Sequence, residues 1–254
     1  MLLAIDIGNT NIAFGLYEGD VLGSHWRIRT IHDKMPDEYG ILMDQLFRHQ
    51  GCRPEQVTGV AIASVVPPLT PVFEQACRSY LGQESLVVDA TVETGVRIRY
   101  DNPHEVGADR VVDAAAVRAL YSVPACVVDF GTATTFDAVS AEGDYLGGAI
   151  APGIGISARA LFERTAKLPR VELTRPPSAI GRNTVHSIQS GLLFGYVGLV
   201  EGMVARFKAE LGAETRVIAT GGLAEVIARE TDIIDMVDPW LTLHGLRIIY
   251  ELNR

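Results

Sequence analysis

The chain contains its own opening twice. Residues 6–23 read DIGNTNIAFGLYEGDVLG, and residues 129–147 read DFGTATTFDAVSAEGDYLG. Asp6 and Gly8 recur 123 positions later as Asp129 and Gly131. The Glu-Gly-Asp triplet at 18–20 recurs 124 positions later at 142–144, followed in both copies by Leu-Gly. One inserted residue accounts for the difference. An offset near half of 254 residues predicts two lobes made by duplication, divided as 1–121 and 122–254.

Each copy follows the same local pattern. A buried strand (2–7; 125–130) ends in aspartate and glycine, a second apolar stretch follows (12–17; 134–139), and a Glu-Gly-Asp hairpin signal leads into a third strand. Alternating helix and strand come next. Residues 36–50 put Tyr39, Leu42, Met43, Leu46 and Phe47 on one helical face, with Gly51 as the stop. Residues 57–66 read as a buried strand ended by Pro67 and Pro68. Thr70 reads as an N-cap with Pro71 behind it, for a helix ending at Gly82. A helix over 106–121 closes the first lobe, and one over 184–211, stopped by Gly212, dominates the second. The pattern is α/β in both lobes. Gly191, Gly195, Gly198 and Gly202 fall on one stripe of the long helix. Since each glycine costs roughly 1 kcal/mol of helix stability against alanine, they imply close packing, either inside the lobe or against a second subunit.

Composition narrows the function. At 48% hydrophobic residues the chain has enough apolar content for a sizeable core, which excludes disorder. A net charge of −9, with only Lys34, Lys167 and Lys208 as lysines, argues against a nucleic-acid footprint. Cys52, Cys77 and Cys126 form no Cys-x-x-Cys pair and no zinc spacing, so they read as buried free thiols of a reducing, cytoplasmic protein. The N-terminus has no basic segment before its apolar run and is not a signal peptide. The longest uncharged stretch, 183–200, carries Asn, Thr, His, two Ser and Gln, which makes it too polar to span a bilayer.

Duplicated lobes leave a cleft with the two Asp-x-Gly turns facing it. Glycine lets the main chain approach an anion, and exposed amides cradle phosphate. Asp6 and Asp129 place a hard anion beside each turn, where a cation would bridge acid and phosphate. Thr220-Gly221-Gly222 follows a strand and would let a base or ribose lie against the main chain. No lysine sits in a G-x-x-x-x-G-K-[ST] P-loop. Gly153 to Ala158 fits the dinucleotide pattern G-x-G-x-x-A. However, Pro152 precedes it, and the candidate acid Glu172 lies among prolines. In HEVGADRVVD at 104–113, Asp109 follows a glycine near a helix start, with Asp113 one turn later. Asp109 could orient and deprotonate a hydroxyl attacking a γ-phosphate, with Arg110 holding an anionic substrate. The same pair also reads as a solvated Asp–Arg surface pair. His104 and His186 read as loop and helix-face histidines.

Taken together, DIGNTN at 6–11, DNPHEVGADR at 101–110, VVDFGTATTFD at 127–137, YLGGAIAPG at 145–153, GRNTVHSIQSG at 181–191 and TGGLA at 220–224 resemble the type III pantothenate kinases. These belong to the actin-like ATPase superfamily. The resemblance covers nearly the whole chain. It implies duplicated actin-like (ribonuclease H-like) lobes with a nucleotide cleft between them, and phosphorylation of pantothenate to 4'-phosphopantothenate by ATP, the first step of coenzyme A biosynthesis. It implies that Asp6, Ile7, Gly8, Asn9, Thr10 and Asn11 hold the ATP phosphates, with Asp6 near magnesium, and that Thr132 contacts ATP. Asp109 would be the catalytic base. Tyr100, Gly107, Ala108, Asp109, Arg110 and Thr184 would contact pantothenate, and Asp129 would bind a monovalent cation, potassium or ammonium. The family is homodimeric, which favours the interface reading of the glycine stripe; no nucleic-acid or membrane partner is expected. Arg182 and His104 depart from the commoner lysine and basic residue, which bears on substrate affinity. The rival from another class is a catalytically silent regulatory accessory protein of the same family. A sugar or acid kinase would share the phosphate turns but not G-R-N-T or V-G-A-D-R.

Overall fold

The computed structural model describes residues 1–89 and 91–254. Contacts divide the chain into two units, Met1–Tyr121 with Leu241–Arg254, and Ser122–Trp240.

In the first unit, β1 (Leu2–Ile7), β2 (Asn11–Glu18), β3 (Val21–Arg29), β4 (Gly59–Ser64) and β5 (Ser85–Val87) form one sheet in the order β3-β2-β1-β4-β5. The hairpin strands run antiparallel, while β4 and β5 join in parallel through helical crossovers. One face is covered by α1 (Pro36–His49) and α2 (Thr70–Leu81), which pack Tyr39, Met43, Phe47, Phe73 and Cys77 onto Leu3, Ile5, Ile7, Ile12 and Phe14. Burying each large apolar side chain of this set contributes about 1.5–3 kcal/mol. The cap expected at Thr70 is displaced by one residue. Leu69 is the N-cap, and Thr70, the first helical residue, donates its hydroxyl to Ser64 Oγ at 2.9 Å.

Two further helices, α3 (Ala108–Leu120) and α7 (Leu241–Leu252), pack together and onto this sheet. The last helix therefore belongs to the first unit, not to the 122–254 lobe expected from the duplication. Its apolar side (Leu241, Leu243, Leu246 and Ile249) is buried there. Gly245 meets the main chain at Val112, and Gly59 on β4 makes room for the Tyr250 ring. Arg247 ties the helix to the β2–β3 turn through Asp20 at 2.7 Å.

The second unit repeats the plan. β6 (Ala125–Phe130), β7 (Ala133–Val139), β8 (Tyr145–Pro152), β9 (Arg216–Thr220) and β10 (Met236–Val237) lie in the order β10-β9-β6-β7-β8, with the same pairing senses. Gly19 and Gly143, the central residues of the two Glu-Gly-Asp turns, both have positive φ (+57° and +81°). The single-insertion account needs revision, because Asp6 pairs with Ala13 whereas Asp129 pairs with Thr135. The second copy is one residue shorter at its aspartate-glycine turn and regains two before its hairpin.

The second core is closed by α4 (Ile154–Glu163), α5 (Thr184–Leu211) and α6 (Ala224–Ala228), with Leu193, Val197, Val200 and Val204 of α5 set on Val128, Phe130 and Phe136. By length and hydropathy α5 could cross a bilayer, contrary to the expectation from its polar residues. Half of that apolar window is buried within the protein, the pattern of a core helix. α4 was not foreseen. The G-x-G-x-x-A segment does open a helix after a strand, but that strand is the antiparallel sheet edge, not the parallel strand of a dinucleotide fold. Cys77 and Cys126 are buried, and burial pushes both thiols up to about 12, whereas Cys52 is half-buried.

Candidate active site

In the first unit, Asp6 lies near the end of β1, paired with Ala13 and Ala63, and the chain turns at residues 8–11. The Gly8 N–H donates to the Asn11 carbonyl at 3.0 Å. Two bonds from beyond β3 fasten the turn. Thr30 Oγ1 donates to the Gly8 carbonyl at 2.6 Å, and the Thr30 N–H donates to the Thr10 carbonyl at 3.0 Å. Asn9, Thr10 and Asn11 are exposed, whereas the Ile7 side chain is fully buried in the core. Ile7 is buried as a whole residue, and its carbonyl accepts the Val65 N–H.

Asp109 sits in the first turn of α3, with Gly107 as the N-cap. Its Oδ1 accepts the Arg110 N–H at 2.8 Å. A Cβ on Gly107 would stand 2.7 Å from that oxygen and 3.6 Å from Val65 Cγ1, so glycine is needed for the carboxylate to fold back over its own helix start. Val65 in turn donates its N–H to the Ile7 carbonyl at 3.1 Å. Val65 thus stands between the Gly107 N-cap of α3 and the end of β1. Desolvation of the carboxyl raises its pKa, opposed by the Arg110 N–H and the Arg110 charge. Asp113, one turn on, is 4% exposed and belongs to the helix's buried side. Tyr100 lies in the preceding loop, 36% exposed.

In the second unit, Asp129 ends β6 as Asp6 ends β1. Three glycines crowd its turn. A Cβ on Gly131 would lie 3.1 Å from Asp129 Oδ2, and one on Gly221 would overlap Asp129 Oδ1 and the Phe130 main chain. On the side where a Cβ would point, Gly221 therefore faces β6 itself. Gly153 donates its N–H to the Thr132 carbonyl at 3.1 Å, and a Cβ there would strike that carbonyl. Among the described residues no group of three or more His, Cys, Asp or Glu gathers as a metal cluster.

Thr184 is the first residue of α5. The helix is capped by Asn183, whose side chain accepts the His186 N–H at 2.8 Å. It borders an open groove of about 1020 Å³ lined by Leu161, Leu168, Ile188, Leu192 and Tyr196. Nearby on α5, a Cβ on Gly191, Gly195 or Gly198 would meet nothing within 4 Å. The stripe is not used for packing inside the lobe.

The first unit thus holds Asp6 to Asn11, Tyr100 and Gly107 to Arg110, and the second holds Asp129, Thr132 and Thr184. Sequence reasoning missed Thr30 and Val65, which contribute through partners distant in the chain and carry no local pattern; Gly153 stands in a dinucleotide pattern and a family block, neither of which marks its bond to the second turn.

The sequence profile of the type III pantothenate kinases matches residues 2–206. A protein described as a type III pantothenate kinase from Moorella thermoacetica is 56% identical, with all of both chains covered. Among solved structures, a Campylobacter jejuni protein described as a Baf family transcriptional activator superposes with a TM-score of 0.62 at 20% identity, covering 99% of this chain and 98% of its own. A polyphosphate/ATP-glucomannokinase from Arthrobacter superposes with a TM-score of 0.51 at 14% identity, covering 100% and 99%. At such identities the structural likeness shows the actin-like fold alone.

Proposed function

Because the chain belongs to the type III pantothenate kinase family, and so phosphorylates pantothenate with ATP in the first step of coenzyme A biosynthesis, we propose that Asp109 is the base for this transfer. The observation that carries the assignment is the desolvated Asp109 carboxylate, folded back over the start of α3 against Gly107 and the Arg110 N–H. The pantothenate hydroxyl oxygen attacks the γ-phosphorus in line. The bond from that phosphorus to the β-phosphate bridging oxygen breaks and ADP leaves. Asp109 aligns the hydroxyl and takes its proton. Tyr100, Gly107, Ala108, Arg110 and Thr184 bind pantothenate in this reading, with Arg110 facing its carboxylate.

Asp6 and the turn to Asn11, together with Thr132, hold the ATP phosphates. Exposed polar residues after Gly8 support this, as does a main chain that approaches anions without a side chain in the way. Asp129, whose carboxylate lies against Gly131 and Gly221, suits a monovalent cation, potassium or ammonium, and Asp6 suits magnesium. When bound, these cations neutralise charge on the phosphates. They matter here because a net charge of −9 repels both substrates.

The working form in this reading is a cytoplasmic homodimer. Unpaired cysteines support the compartment, and the open glycine stripe of α5 supports the dimer, together with Ile150 and Ile180, which are 68% and 81% exposed. The regulatory alternative is not favoured by full-length relatives described as kinases. The test is ADP release by purified protein with magnesium and potassium, offered pantothenate beside a panel of sugars. Turnover with pantothenate alone is expected, and turnover with a sugar in its place overturns the reading.

A further inference from the structure

We infer that Thr30 is a positioning residue for ATP, holding the 8–11 turn in the shape that receives phosphate. This rests on the reading of that turn as the phosphate site. Thr30 lies one residue past β3, 22 positions from Gly8, and is 8% exposed. Its hydroxyl hydrogen goes to the Gly8 carbonyl at 2.6 Å and its N–H to the Thr10 carbonyl at 3.0 Å. A trans peptide is planar, with its C=O and N–H pointing in opposite directions. Fixing the Gly8 carbonyl onto Thr30 therefore aims the Asn9 N–H away from Thr30.

The duplication shows that half of this clamp is general and half is special to the first turn. In the second unit the residue just past β8, Gly153, also donates its N–H to a turn carbonyl, that of Thr132 at 3.1 Å. A side chain there is barred, because a Cβ would strike the carbonyl. The main-chain clamp is thus common to both turns, while a hydroxyl clamp from the residue past the third strand is present at the turn following Asp6 and barred at Gly153. A β-branched threonine suits the role because its χ1 is restricted, so the donor does not wander.

Thr30→Val keeps the shape and removes the donor, and Thr30→Ser keeps the donor. The expected result is an ATP KM raised about tenfold in Thr30→Val, the scale of one lost hydrogen bond. The pantothenate KM and the kcat at saturating ATP should stay within about twofold, and Thr30→Ser should return the ATP KM to near the parent value. Thr30→Ala serves if the valine variant does not fold. Gly8→Ala is measured alongside, since its Cβ would press to 3.0 Å on the Asn11 carbonyl. If Gly8→Ala raises the ATP KM and the donor-less variants do not, the role of Thr30 is overturned and the phosphate turn stands. If neither moves it, the turn itself is not the ATP site. Equal changes in both KM values, or no rescue by serine, would mark Thr30 as merely structural and overturn the inference.

Discussion

Gly221, at φ +90°, lies so close to Asp129 that a Cβ on it would overlap the Asp129 carboxylate. Asp129 sits on β6, and Gly221 follows the neighbouring parallel strand β9, whose Thr220 pairs directly with Asp129. The glycine after β9 therefore sets where the second-turn carboxylate can stand. Gly221→Ala must either push that carboxylate aside or strain the main chain, and strain of this kind costs about 1–3 kcal/mol. We expect a folded protein with kcat/KM for ATP lowered at least about tenfold and a blunted response to potassium. A potassium titration matching that of the parent would separate Asp129 from the cation.

Asp109→Asn keeps the shape of the side chain but cannot accept the substrate proton. General-base removal typically costs roughly 100- to 10,000-fold. We expect kcat to fall by that order while the ATP KM stays within a few-fold, as read by steady-state kinetics with each substrate varied. Near-normal turnover would take the base role from Asp109.

The same substitution has a stability signature of opposite sign. Desolvation raises the Asp109 pKa above the ordinary 3.8, so the folded protein holds this proton more tightly than the unfolded chain. Folding stability from this group is then present in full below about pH 3.8 and is lost as pH rises through the raised value. At neutral pH the parent carries a half-buried, partly desolvated charge that asparagine lacks. Thermal melts should show Asp109→Asn more stable than the parent at pH 7, the gap closing as pH falls toward the ordinary aspartate range. The acid limb of kcat/KM should likewise lie above that range, since the base must be ionised.

Gly195 on α5 is exposed, and a Cβ there meets nothing within the chain. A single chain should therefore tolerate Gly195→Leu, and even gain helix propensity, since leucine is a far better helix former than glycine. A subunit pressed against the stripe would not. Sedimentation velocity should find the parent as a dimer and Gly195→Leu shifted to monomer, with helix content retained. A variant that stays dimeric would move the interface away from the stripe.

Local features of the chain determined much of this protein. Uninterrupted apolar runs located the opening strand of each copy, and the Gly212 stop bounded the long helix over 184–211. The repeated Asp-x-Gly and Glu-Gly-Asp signals announced two sheets of one topology, because a turn needs its glycine within a few residues of the strands it joins. Only the tertiary structure decided that α7 returns to the first unit, that Gly221 clears Asp129, that Val65 joins the Gly107 N-cap to the end of β1, and that Thr30 clamps Gly8. These are contacts between residues tens to hundreds of positions apart. They depend on which surfaces meet once strands are registered and helices docked, and periodicity, which reports only which face of an element is apolar, carries no record of the partner that face will find.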